Sequence, residues 1–459
     1  MVDFSKLSLE ELIQRDGFDC DCGCHHQVKV QHVKIGADAA ASLPGVLASL
    51  NVIRPFVVCD QNTAAVAWPK VKALLEKAQI PYQLFVFPQQ RVEPDEAAIG
   101  ALAMAFDPEC DVILGVGSGV INDCCKVLAK VSARPFLIVA TAPSMDGYAS
   151  DSASMIQNRV KVSLGTPCPL AVIADTDIVA NAPMRMLQAG LGDMMAKYTA
   201  LCEWRIAHLV IGEYYCPHVA ELVRCSLKKC VNHAEKLVLR DPDAVEAVME
   251  GLIITGIAMS FAKCSRPASG LEHYFSHMWE MMALDKNIPA DLHGIQVGVG
   301  THLTLMIFDS LANEMPDWAQ AQKHLSNFDE AAWEQEMREI FGKASNAVIQ
   351  GERNKFHKND LGELAWRIHF IQLHWEEILT VVKQELPASK DLLALMRRLG
   401  MPAWPQELGL SPQDVKQALI GSRDIRDKYL VSSLLWDLGK LHDYANMLAA
   451  SGKGGDSKQ

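Results

Sequence analysis

Asp111-Val-Ile-Leu-Gly-Val-Gly-Ser-Gly-Val-Ile-Asn-Asp123, running on into Cys124-Cys-Lys-Val-Leu-Ala-Lys130, reads as a short apolar strand, a glycine-rich turn and the start of a helix. Glycines let backbone N–H groups approach a phosphate, and the helix N-terminus behind them adds partial positive charge. A tight strand-to-helix turn would use the same glycines without any ligand. The pattern is not the G-x-G-x-x-G fingerprint of the first strand of a dinucleotide fold. It comes late, and Asp60, an acidic residue closing a strand, lies before it rather than after.

Working outward, Val28–Gly36, Phe56–Asp60, Tyr82–Phe87, Pro135–Thr141 and Ala171–Asp175 are strand-like runs. Helix-length amphipathic segments, Ala64–Lys77 and Glu96–Phe106, sit between them. Strands separated by helices predict a parallel sheet covered on both faces. The loop Thr141-Ala-Pro-Ser144-Met-Asp146-Gly-Tyr-Ala-Ser150 follows the next strand-like run, so two neighbouring strand ends form a crevice suited to a nucleotide. Beyond Asn181 the spacing turns helical and stays so to about Leu448. The expected organisation is therefore an α/β domain over residues 1–180, a helical domain over 181–448, and a polar, Gly-rich, disordered tail over 449–459.

The helical part carries the metal chemistry. Glu272-His273-Tyr-Phe-Ser-His277 places two imidazoles four residues apart, on one face if helical. His293 opens the Gly-rich run His293-Gly-Ile-Gln-Val-Gly-Val-Gly-Thr301, and Asp193 closes Gly190-Leu-Gly-Asp193. One carboxylate and two imidazoles suit a divalent cation and leave room for a substrate oxygen. Scattered histidines that only hydrogen-bond locally are the competing account, since no short motif fixes all three ligands together. A second cluster, Cys20-Asp-Cys22-Gly-Cys24-His25-His26, could hold a soft metal, but its spacing is not the usual two-residue knuckle. It reads instead as a surface strand or turn.

With 459 residues the chain has room for two domains, and its formal net charge of -12 argues against nucleic acid or an anionic membrane as the main partner. The N-terminus lacks an apolar signal segment, and no uninterrupted apolar stretch approaches membrane-spanning length. Thirteen cysteines without framework spacing point to reduced thiols and a cytoplasmic protein.

The run Thr141–Asp146 with Gly147 and Ser150, the run Met184–Lys197, Ser265-Arg-Pro-Ala-Ser-Gly-Leu-Glu-His273, and His293–Thr301 together resemble the sn-glycerol-1-phosphate dehydrogenase family. That family lies in the superfamily of dehydroquinate synthase, glycerol dehydrogenase and the iron-containing alcohol dehydrogenases. The resemblance spans about residues 20 to 448, including Arg423–Tyr429, and the Ser-Arg-Pro-Ala-Ser-Gly-x-Glu-His stretch is its most specific part. It implies a dehydroquinate synthase-like fold: an N-terminal Rossmann-like nucleotide-binding domain followed by an all-α metal-binding domain. It also implies reversible, NAD(H)- or NADP(H)-linked reduction of dihydroxyacetone phosphate to sn-glycerol 1-phosphate, in phospholipid metabolism, by a homo-oligomer. Asp193, His273 and His293 match the metal ligands, for zinc in most members and nickel in some. Asp146 and His277 match substrate-contacting positions, and Asp193 touches the substrate as well as the metal. Gly119, Val120, Ile121, Asn122 and Asp123 match the pyrophosphate loop; Thr141, Ala142, Pro143, Ser144 and Ser150 match the nicotinamide side. Asp60 stands near the expected adenosine ribose.

One departure is Gly-Val-Gly-Ser-Gly where many relatives carry three glycines; Val116 is expected to point into the sheet. Arg266, Lys197 and Lys161 are candidate phosphate ligands, each with solvated surface charge as the competing account. A dehydroquinate synthase, an unphosphorylated polyol dehydrogenase and a non-catalytic cofactor-binding protein are the alternatives in function.

Overall fold

The computed structural model describes residues 2–452. The proposed tail residues 453–459 lie outside them, and the last helix, Leu441–Ala450, extends past the expected boundary at 448. The chain forms two compact units: one of Met1–Met195 with Cys216–Ala268, the other of Ala196–Tyr215 with Ser269–Gln459. This division does not follow the expected cut at residue 180. The helices Pro217–Leu237 and Pro242–Ala262 belong to the first unit. There, a Cβ added at Gly251 would meet Cys230 Sγ at 2.7 Å and Met194 Cε at 2.9 Å. The change from mixed to helical pattern marks where strands end, but not which helices pack against them.

In the first unit β1 (His32–Gly36), β2 (Pro55–Cys59), β3 (Gln83–Val86), β4 (Val112–Gly117), β5 (Phe136–Ala140) and β6 (Ala171–Asp175) form one parallel sheet in the order β1-β6-β5-β4-β2-β3. β2, β4, β5 and β6 are buried along their whole length, as continuous apolar runs in a doubly covered sheet must be. Val116 is fully buried within β4, so the missing third glycine leaves the following turn intact. From β2 the chain moves outward to β3 and then returns to the other side of β2 as β4. The order therefore reverses between β2 and β4, where open α/β sheets present a crevice at their carboxyl ends.

Two local features differ from the expectation. The helix over Ala64–Lys77 is two helices, Gln61–Val66 and Trp68–Lys77, because Pro69 has no N–H to continue the first and instead occupies the opening turn of the second. A hairpin of Ser152–Gln157 and Val160–Gly165 went unread in the sequence. Its two-residue turn, Asn158-Arg159, holds both residues at positive φ (51° and 62°) and contains no glycine to announce it.

The second unit, as described, is helical. Leu271–Lys286 and His293–Asn313 pack together so closely that a Cβ at Gly300 would lie 2.6 Å from the Glu272 carbonyl oxygen. Among the described residues two helices, Pro242–Ala262 and His293–Asn313, are long and apolar enough to cross a membrane by length and composition, although Glu246, Glu250 and Asp309 interrupt their apolar runs. In each, 78% of the apolar window is buried by the protein itself.

Candidate active site

The cofactor candidates sit at the carboxyl ends of β2, β4 and β5 in the first unit. A 14-residue helix starts at Gly119, with Ser118 at its N-cap position making no side-chain capping bond. The N–H groups of its opening turn have no acceptor within the helix and carry the positive end of its dipole. A Cβ at Gly117 would meet Ile121 Cβ at 2.5 Å, so this glycine is required by the tight turn itself. Asn122 is buried; Asp123 takes the Ser154 N–H at 3.1 Å, and burial raises its pKa against the pull of Lys126.

Lys126 escaped the sequence reading. Fully buried, it donates to Gly147 O, to Ser150 Oγ (3.0 Å) and to Ser152 O (3.0 Å), pinning the loop after β5. The Ser150 hydroxyl is thus engaged within its own loop, where it also donates to Gly147 O at 3.0 Å. Tyr148 Oη donates to Ala142 O at 2.6 Å, and Thr141 N–H to Gly117 O at 3.1 Å. Asp60 closes β2 as predicted, but its carboxylate caps the next helix, accepting the Thr63 N–H at 2.8 Å.

The loop reaches the helix Met184–Met195 through one contact that only glycine permits. An added Cβ at Gly190 would lie 1.8 Å from the Pro143 carbonyl oxygen. Beyond that contact, the Asp146 N–H donates to Asp193 Oδ2 at 3.0 Å. Two candidate site residues, both buried, are thereby linked within this unit through the backbone of one and the carboxylate of the other.

In the second unit His273 and His277 stand one turn apart on the helix Leu271–Lys286, as the spacing predicted, and His293 opens the next helix. The ring centroids of His273 and His293 are 5.2 Å apart, and those of His277 and His293 are 5.9 Å apart. Glu272, missed in the sequence although it adjoins His273, is the organising carboxylate. Its Oε1 accepts from His273 Nδ1 at 2.9 Å, and its Oε2 accepts from Thr199 Oγ1 at 2.6 Å. Burial works to raise its pKa, yet the hydrogen bonds from His273, Thr199 and the Gly270 N–H carry it below the ordinary value.

With Nδ1–H directed at a carboxylate, His273 keeps its Nε2 lone pair for a metal. His293 Nδ1 is 3.1 Å from Ser276 Oγ, and the two histidines offer donor atoms within 4.8 Å of one another. These residues fit a divalent cation. Replacing Glu272 by Gln keeps an acceptor for His273 but removes its charge. Metal affinity in Glu272→Gln, measured by chelator competition, is expected to fall roughly 10–100-fold while the protein stays folded; unchanged affinity would refute that role.

His277 is different. Burial holds its pKa down at about 3, so at neutral pH it is an uncharged imidazole, with Nδ1 3.6 Å from Glu280 Oε2. Such a ring can donate or relay a hydrogen bond but cannot serve as a standing imidazolium acid. Among the phosphate candidates, Arg266 and Lys197 are buried rather than solvated, against the surface-charge account, whereas Lys161 is half-buried on the hairpin.

A family model described as iron-containing alcohol dehydrogenase matches residues 34–183. The curated glycerol-1-phosphate dehydrogenase (NAD(P)+) of Geobacillus stearothermophilus is 31% identical over 427 residues, covering 91% of this chain and 95% of its own. The protein of that name from Halalkalibacterium halodurans is 30% identical, covering 90% of this chain and 94% of its own. Its namesake from Methanosarcina mazei is 37% identical, covering 57% of this chain and 72% of its own. Among solved structures, glycerol dehydrogenase from Schizosaccharomyces pombe matches with a TM-score of 0.58 at 15% identity, over 91% of this chain and 90% of its own. An iron-containing alcohol dehydrogenase from Corynebacterium glutamicum matches with a TM-score of 0.58 at 16% identity, over 92% of this chain and 98% of its own. These structural likenesses establish the fold alone.

Proposed function

The chain belongs to the glycerol-1-phosphate dehydrogenase family, and from that premise we propose that it interconverts dihydroxyacetone phosphate and sn-glycerol 1-phosphate with NAD(H) or NADP(H). The observation that carries the reading is the Thr199–Glu272–His273 chain of hydrogen bonds beside His293: a prepared pair of imidazole ligands in a chain aligned with these dehydrogenases over nearly its full length. We assign Asp193 as the third ligand, completing a set that leaves coordination positions open for substrate. Zinc or nickel suits these nitrogen and oxygen donors.

When bound, the cation polarises the ketone and the nicotinamide supplies hydride, so the metal needs no redox change. His277, neutral and largely but not wholly covered, hydrogen-bonds the substrate oxygen and passes the proton onward through its second nitrogen. Asp146 is held by its own backbone bond to Asp193 and orients a hydroxyl. The glycine turn and the helix start at Gly119 receive the pyrophosphate, with Thr141, Ala142, Pro143 and Ser144 on the nicotinamide side. Arg266 and Lys197 are assigned to the phosphate, because a desolvated dianion requires cationic donors.

Oxidation of NADH and NADPH is to be followed with dihydroxyacetone phosphate, dihydroxyacetone and glyceraldehyde in parallel, on protein loaded with zinc or nickel. Turnover confined to the phosphorylated ketone is expected. Preference for an unphosphorylated substrate would instead favour a polyol dehydrogenase.

Asp60 is expected to favour NADH, since a carboxylate near the ribose accepts from its hydroxyls and repels a 2′-phosphate. Asp60→Ala should shift kcat/KM toward NADPH and, through loss of the helix cap, cost about 1 kcal/mol of stability. A preference for NADPH in the parent chain, unaltered by the substitution, would refute it.

A further inference from the structure

Three thiols and one imidazole, apart from the proposed active site, converge within the first unit. Phe18–Asp19 pairs antiparallel with His25–His26, and the turn between them carries Cys20 and Cys22. The turn is held by the Cys20 N–H to Cys24 O (3.1 Å) and the Gly23 N–H to Cys20 O (3.0 Å), with Gly23 at φ +84°. Against it stands Cys216, the residue that caps the 21-residue helix Pro217–Leu237. Cys20 Sγ lies 3.8 Å from Cys216 Sγ, Cys216 Sγ lies 3.6 Å from His26 Nε2, and Cys22 Sγ lies 3.3 Å from the same nitrogen. All four donor atoms fall within 4.8 Å of one another.

These separations match a tetrahedron. Zinc bonds of about 2.3 Å to sulfur and about 2.05 Å to nitrogen imply edges of roughly 3.8 Å between sulfurs and roughly 3.6 Å between sulfur and nitrogen. The Cys20–Cys216 separation is far beyond the ~2.05 Å of a disulfide. His26 is fully buried, and its Nδ1 lies 2.9 Å from the Phe261 carbonyl oxygen. A carbonyl only accepts, so Nδ1 carries the proton and Nε2 offers its lone pair to the sulfurs. Burial raises the pKa of both the Cys20 and Cys216 thiols, while backbone N–H groups of His218 and Val219 at the Cys216 sulfur, and that of Cys22 at the Cys20 sulfur, pull the other way. A bound cation would supply the rest of the charge that a thiolate needs. Phe4 and Phe261 pack against the imidazole, at 5.4 and 5.6 Å between ring centroids. The nearby His218 pairs with Asp21 at 2.9 Å and stays outside this set.

We propose that Cys20, Cys22, His26 and Cys216 bind one zinc ion in a closed structural site. Four protein ligands leave no position for substrate, and three thiolates select zinc over hard cations such as magnesium. The ion clamps the N-terminal hairpin to a helix start 196 positions along the chain from Cys20, so its binding energy adds to folding. The segment is an exposed strand and turn, as its sequence suggests, but the imidazole of His26 is interior, and the proposed fourth ligand is too distant in sequence to form a motif.

The test uses the full chain, reduced and loaded with cobalt(II). The proposed active-site ligands, Asp193, His273 and His293, include no sulfur. A near-ultraviolet sulfur-to-cobalt charge-transfer band therefore reports this cluster alone. The band is expected in the parent and in His293→Ala, and is expected to be lost in Cys22→Ser and Cys216→Ser, with one fewer equivalent of metal per chain. No band in the parent, or a band unchanged by both serine substitutions, would overturn the proposal. Should Cys216→Ser fail to fold, alkylation of the parent decides the matter. Cys20 and Cys22 should be modified by iodoacetamide only after chelation, and equal modification with and without chelator would sink the site.

Discussion

His293→Ala is expected to lose bound metal and turnover together while the helical unit stays folded. His293 opens its helix half-exposed, so truncating it leaves no large interior cavity. Disturbing a residue that merely supports a ligand costs roughly 10–100-fold in affinity, and removing one of three ligands should exceed that. The companion variants separate roles on one helix face. His273→Ala should behave like His293→Ala, because its Nε2 is the ligand that Glu272 prepares. His277→Ala should retain its metal and lose on the order of 100-fold or more in rate, the usual contribution of a group that moves a proton in the transition state. With the His277 pKa depressed by burial to about 3, that loss should be the same throughout the neutral pH range, the ring being uncharged across all of it. Metal content by elemental analysis, set beside kcat for each variant, provides the check. Equal metal loss in His273→Ala and His277→Ala would make His277 a ligand and redraw the set.

Gly190→Ala is the second large effect, and a methyl group is enough to cause it. The new Cβ would fall 1.8 Å from the Pro143 carbonyl oxygen, which is backbone and cannot rotate away. The loop or the helix must move, at about 1–3 kcal/mol for overpacking. The displaced segment carries the Asp146 N–H bonded to Asp193 Oδ2, and a shift of about 1 Å at such a site can cost ~100-fold in rate. A lower melting temperature and a fall in kcat/KM of about that size are expected. Gly45→Ala is the matched control, because its Cβ would meet nothing within 4 Å and the backbone there is not left-handed. Indistinguishable behaviour of the two variants would show that the loop is not held in place at Gly190.

What could be read from the sequence was what short-range periodicity encodes. The short apolar runs at Phe56–Asp60 and Asp111–Gly115, alternating with helix-length segments, read as strands covered on both faces, and the spacing of His273 and His277 placed both imidazoles on one helical face. Recognised segments supplied the family and nominated Asp146, Asp193 and His293, whose distances in sequence carry no geometry. Local rules failed where the decisive signal was weak: at Asn158-Arg159, a turn without glycine, and at Pro69, which starts a helix as readily as it ends one.

The tertiary structure alone decided which helices join the sheet-bearing unit, that Glu272 directs the proton of His273, that Lys126 pins the loop after β5, and that Cys216 comes up to Cys20, Cys22 and His26. Each of these depends on packing between residues far apart in the chain or on the direction of one hydrogen bond. Periodicity shows which face of an element is buried, but it holds no information about what that face is buried against.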